Sequence, residues 1–171
     1  MNIIIHPPHN EWSALLQRPA MDHSMLEAAV LEVLNNVKQN GDKALVEFTQ
    51  RFDGVLLKNI KVSDVEIAAA EQELTTELKA AIAQAKENIE RFHAAQVQPV
   101  VKVETMAGVQ CWRKSIGIEK VGLYIPGGSA PLFSTVLMLG IPAVLAGCRE
   151  IILCTPPGKD GNIHPAVLYA A

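Results

Sequence analysis

A chain of 171 residues, 49% of them hydrophobic, carries enough apolar side chains to build a core and lies outside the composition of disordered proteins. Fifteen basic against eighteen acidic residues leave a formal charge of -3 without any Lys or Arg cluster, which excludes a nucleic-acid footprint and leaves small molecules as the expected partners. The longest apolar stretch, residues 136–147, is too short for a bilayer and holds Gly140 and Pro142. No membrane span or secretory leader is expected, and Cys111, Cys148 and Cys154 lack disulfide spacing, which fits a reducing cytoplasm.

In chain order, a His-Pro-Pro-His opening reads as an irregular arm. Residues 25–40 then carry Leu26, Val30, Val33, Leu34 and Val37 on one helical face. Gly41 ends that helix, and Asp42 is placed to cap a second one, packed on the first, with Leu45, Phe48 and Phe52 at helical spacing before Asp53-Gly54 turns the chain. Ser63-Asp-Val-Glu66 is a capping box. A further start at Thr75 or Thr76 leads into Leu78, Ile82, Ala85, Ile89 and Phe92, a stripe that reads as ordinary core packing.

From Val100 the period changes to two. Val101, Val103 and Thr105 alternate with Lys102 and Glu104, and Ala107-Gly108 separates them from residues 109–116, which predicts a hairpin. Residues 121–155 then read as strand, glycine loop, apolar helix and strand, a βαβ unit whose right-handed crossover makes the strands parallel. The loop Pro126-Gly-Gly-Ser-Ala-Pro131 falls at the carboxyl edge, where open α/β sheets bind ligands. Gly127 and Gly128 are free to take positive φ and let a ligand approach the backbone, and Ser129 adds a hydroxyl near the next helix start, a setting that suits an anion. The loop matches neither G-x-G-x-x-G nor a P-loop, so a plain strand-to-helix turn is an equal reading. Asn162 is the expected cap of a last helix that begins at Pro165 and stops at Ala171 without a C-cap signal. Two parallel strands also leave a sheet short of neighbours, so part of the fold is expected to be absent.

Residues 121–139, Val-Gly-Leu-Tyr-Ile-Pro-Gly-Gly-Ser-Ala-Pro-Leu-Phe-Ser-Thr-Val-Leu-Met-Leu, resemble the histidinol dehydrogenase family. Gly41-Asp42, Arg51-Phe-Asp53, Asn88-Ile-Glu-Arg-Phe-His93 and Gly147-Cys148 support the resemblance, which runs from Leu16 to the last residue and covers the amino-terminal part of a longer family chain. It implies a homodimeric, zinc-containing oxidoreductase of histidine biosynthesis that oxidises L-histidinol to L-histidine through an aldehyde, with two NAD molecules in succession. It places the zinc-binding and proton-transferring residues later in the family's chain, so no catalytic and no metal residue is expected here and the fragment alone is expected to be inactive. What carries over is the cofactor side: Tyr124 matches the family's NAD-contacting tyrosine, with Pro126, Gly127 and Gly128 beside it. The alternative role of Tyr124 is a strand-end ring packed on the turn.

Other residues are weaker candidates. His6, His9, His23, His93 and His164 form no metal-ligand spacing, and His93 suits a helix end. Cys154 closes a strand at the ligand edge, where a thiolate would attack an aldehyde, but no base or cation stands beside it in the sequence. Phe52 and Asp53 border the cofactor only if the helix end they form is near it. The expectation is therefore an α/β protein: an amino-terminal arm (1–24), a helical region with a hairpin (25–120), and the first βαβ of an incomplete Rossmann-like sheet (121–171). A self-associating or partner-binding module without catalysis is the other reading.

Overall fold

In the computed structural model, residues 3–18, 24–127 and 130–171 are described, the side chains of Ser24 and Met25 excepted. Backbone contacts divide the chain into two compact units, Met1–Ala44 and Leu45–Ala171.

In the first unit the His-Pro-Pro-His opening is more regular than expected. A single 3-10 turn, His9–Glu11, runs into α1 (Trp12–Leu15). The indole N–H of Trp12 donates to the Pro7 carbonyl at 3.1 Å and its ring stacks on His9. Local polar and aromatic contacts therefore order a stretch without hydrophobic periodicity. The long helix α2 (Ser24–Asn40) forms as the spacing predicts, and its stripe Leu26, Val30 and Leu34 is exposed.

Helix α3 (Asp42–Phe52) begins one residue earlier than a capping Asp42 requires. Asp42 is already helical, and the carbonyl of Gly41 accepts the Ala44 N–H, so backbone rather than carboxylate starts the helix. Ser63 and Glu66 form the predicted capping box ahead of α4 (Asp64–Glu73): the serine hydroxyl accepts the Glu66 N–H at 3.3 Å, and the glutamate accepts the Ser63 N–H at 2.7 Å. Thr75 accepts the Leu78 N–H and caps α5 (Thr76–Ala94). Leu78, Ile82, Ala85 and Ile89 face the core, whereas Phe92, the last of the stripe, is exposed and meets His93 edge-on.

The hairpin forms between β1 (Lys102–Met106) and β2 (Val109–Trp112), antiparallel with an irregularity between Glu104 and Met106. Its turn needs Gly108, which sits at φ 78° and donates its N–H to the Glu104 carboxylate at 3.0 Å.

The βαβ unit is β3 (Lys120–Tyr124), α6 (Phe133–Leu145) and β4 (Glu150–Cys154), with the strands parallel from Lys120 opposite Glu150 to Tyr124 opposite Cys154. A Lys120–Glu150 ion pair at 2.8 Å marks the amino end of this register. Strand alternation sends Val121, Leu123, Ile151 and Leu153 toward the helices. Gly122, Tyr124, Ile152 and Cys154 lie on the opposite, exposed face. The short α7 (Pro165–Ala170) packs on α4 and α6. One core cluster joins Ile82, Leu137 and Ala166, and a second joins Ile125, Val136 and Val167. The fold is thus α/β with an incomplete parallel sheet, and no described helix is long and apolar enough to cross a membrane.

Candidate functional site at the carboxyl edge of the parallel strands

The site begins with Ile125, a residue that sequence reading did not single out. It is 1% exposed and packs with Val136, Leu132 and Phe133, so it pins the end of β3 to the start of α6. Its N–H donates to the Cys154 carbonyl at 2.9 Å, which extends the parallel pairing one residue beyond the strand. The signal was present as the period-two run Val121, Leu123, Ile125, whose last member falls just past the strand end.

With Ile125 turned inward, its neighbour Tyr124 is turned outward. Tyr124 is 64% exposed on the bare face of the sheet, directly across from Cys154 and two residues from Gly122. Pro126 and Gly127 follow at the edge, both exposed; Gly128 and Ser129 lie outside the described residues. Gly127 does not use a positive φ. A Cβ built on it would come 2.7 Å from Cγ of Pro156, in the loop after β4. Its lack of a side chain is filled by protein, which corrects the expectation that a left-handed conformation is what calls for this glycine.

The helix start beside them is electrostatically open. Leu132 stands at the N-cap of α6 with no side-chain hydrogen bond, and the first turn holds no acidic residue. The Thr135 N–H donates to the Leu132 carbonyl at 3.0 Å, and the positive end of the helix dipole faces the edge, where it would favour an anion. The edge therefore combines an exposed aromatic ring, exposed backbone at residues 126–127 and a helix start without a side-chain cap, groups that can meet a flat ring and an anion.

Of the weaker candidates, Cys154 lies at this edge and the others elsewhere in the chain. Cys154 is exposed, close to Tyr124 through the strand register. Phe52 stacks on Phe48 at 5.5 Å and carries Arg51 over its ring, contacts within its own helix. His9 stacks on Trp12 and His93 lies in the last turn of α5. His164 caps α7 by accepting the Ala166 N–H on Nδ1 at 3.1 Å, the role expected of Asn162. Asn162 is diverted: its amide and backbone N–H both donate to the Asp160 carboxylate. Those bonds, the side-chain one first, hold the Asp160 carboxyl below its ordinary value. His23 lies outside the described residues, and among the described residues no three His, Cys, Asp or Glu side chains are grouped to hold a metal ion.

A cleft of about 730 Å³ lies on the other side of the sheet. Ile82, Leu123, Leu137, Ile141, Leu153 and Tyr169 line it. Its lining is mostly apolar, with Lys86 and Glu90 as its charged members.

Comparison with known proteins identifies the family. A sequence model of histidinol dehydrogenase matches residues 16–171. The histidinol dehydrogenase of Bacteroides thetaiotaomicron is 56% identical over all 171 residues, which cover 40% of that protein. That of Escherichia coli is 51% identical over 92% of this chain and 36% of its own. The crystal structure of histidinol dehydrogenase from Elizabethkingia anophelis superposes with a TM-score of 0.88 at 53% identity, over 96% of this chain and 38% of that one. The chain spans about 40% of the length of the curated relatives it matches, and it belongs to the histidinol dehydrogenase family as an amino-terminal fragment.

Proposed function

We propose that this chain supplies the NAD-binding side of an enzyme that oxidises L-histidinol to L-histidine, with Tyr124 as the cofactor-contacting side chain. The observation that carries the reading is the placement of Tyr124. A matched family position ends a parallel strand, exposed, where the next helix begins uncapped. NAD, when bound, accepts the hydride; the residues here hold and orient it. Tyr124 offers a flat ring for stacking, Pro126 and Gly127 offer backbone at the edge, and Gly128 belongs to the same loop. The α6 start offers the pyrophosphate the positive end of its dipole and the N–H groups ahead of Thr135, whose own N–H donates to the Leu132 carbonyl.

Zinc, which the family resemblance implies, has no fitting ligand set among the described residues, so no step is derived through it. Hydride and proton transfer also need a base beside the alcohol, a role the family resemblance places outside these residues. The chain by itself is therefore proposed to be inactive as an oxidoreductase, working in a homo-oligomer only when the rest of the family's site is present. Its proposed setting is the cytoplasm.

Titration of the pure protein with NAD tests the reading. Binding that Tyr124→Ala weakens by about tenfold, the equivalent of one lost stacking contact, is expected, with no histidinol-dependent NADH formation. Absence of binding, or equal affinity in the variant, contradicts the cofactor role; turnover contradicts the assignment of catalysis to residues outside this chain.

A further inference from the structure

We infer that Pro156 is the positioning residue of the cofactor loop: its ring stands where a side chain on residue 127 would be and thereby sets the path of the segment after Tyr124. The inference rests on the NAD reading above and deepens it by assigning the loop's shape to a residue outside it.

The two strand ends leave the sheet side by side. The Ile125 N–H donates to the Cys154 carbonyl, so Pro126-Gly127 and Thr155-Pro156 emerge from adjacent positions. Pro156 is a stiff neighbour. Its ring fixes φ, it has no N–H to satisfy, and the proline that follows restricts it to extended backbone. The far end of its loop is tied down as well: the Gly158 N–H donates to the Asn162 carbonyl at 2.8 Å, Asp160 holds Asn162, and Ile163 packs into the cluster around Ile125.

Against this fixed ring, a Cβ on residue 127 would lie 2.7 Å from Cγ, 3.7 Å from Cβ and 3.8 Å from Cδ of Pro156. The first distance is well inside the roughly 3.5–4.0 Å of carbon–carbon contact. Since φ at 127 is not left-handed, the ring alone calls for glycine there. The contact therefore acts on the cofactor through Gly127, without touching it.

A double-mutant cycle over Gly127→Ala, Pro156→Ala and the pair tests this, read by the ring resonances of Tyr124 and by the NAD dissociation constant. Gly127→Ala is expected to shift the Tyr124 signals and weaken NAD by about fivefold or more. Adding Pro156→Ala, which removes Cγ and Cδ, is expected to bring both readings back to within about twofold of Pro156→Ala alone. Unchanged readings in Gly127→Ala, or no recovery in the double variant, overturn the proposal. Should Gly127→Ala fail to fold, Pro156→Ala alone decides: faster exchange of the Gly127 amide at an unchanged melting temperature supports the positioning role, and unchanged exchange overturns it. Where the unaltered protein binds no NAD, the cofactor reading fails, while the Tyr124 resonances still decide whether Pro156 shapes the loop.

Discussion

Tyr124 and Ile125 divide the work of one strand end between them. Alternation sends one ring out to the edge and one aliphatic side chain into the cluster with Val136 and Val167, so the exposed residue is only as well placed as the buried one is well packed. Ile125→Ala removes that anchor and leaves a cavity. A loss of about 2–5 kcal/mol in urea unfolding is expected, and a change under about 0.5 kcal/mol would mean that the strand end is held by something else. A different residue-scale effect is expected in acid. Hydrogen bonds from the Ser63 side chain first, and its backbone second, hold the Glu66 carboxyl below its ordinary 4.5. The folded state thus favours the charged form. That contribution is complete above 4.5, fades as pH falls below it, and is lost once pH passes the lowered folded value. The melting-temperature advantage over Glu66→Gln is expected at about pH 7 and should shrink by about pH 3; an advantage unchanged in acid would show that the charge is not what matters.

At the scale of elements, much was legible because local chemistry decided it. The Ser63–Glu66 box, the Thr75 cap, the Gly108 turn and the strand–helix–strand order from 120 to 154 each rest on residues close in sequence, and the structure keeps them. The departures have the opposite cause. Asn162 lost the α7 cap to His164 because Asp160, two residues back, competes for its amide. Phe92 carries the period of the α5 stripe but is exposed and joins neither core cluster. Gly127 was readable as a special position, but not for the reason that operates, since nothing in the sequence brings residue 156 next to residue 127. The strand-end position of Tyr124 was legible from the apolar run before the glycine loop, whereas the Ile125 anchor, although its alternation was in plain view, needed the packing to show its importance.

At the scale of the whole molecule, apolar side chains remain on the surface: Leu26, Leu34, Val103, Trp112, Ile152 and Val144 are all more than half exposed. Exposed apolar faces of this kind drive association, so self-association of the 171-residue chain is the expected outcome. Light scattering should give a mass above 18.5 kDa that persists in high salt. A clean monomer that binds no apolar dye would contradict it.

The central claim is that the carboxyl edge of β3, with Tyr124 and the uncapped start of α6, is where NAD sits. Amide resonances recorded as NAD is added up to about millimolar concentration test it most directly. The account predicts shifts at Tyr124, Ile125, Gly127 and the first turn of α6 from Phe133 to Thr135, with little change along the cleft formed by Ile82, Ile141 and Ala170. Shifts centred on that cleft, or none at all, would contradict it.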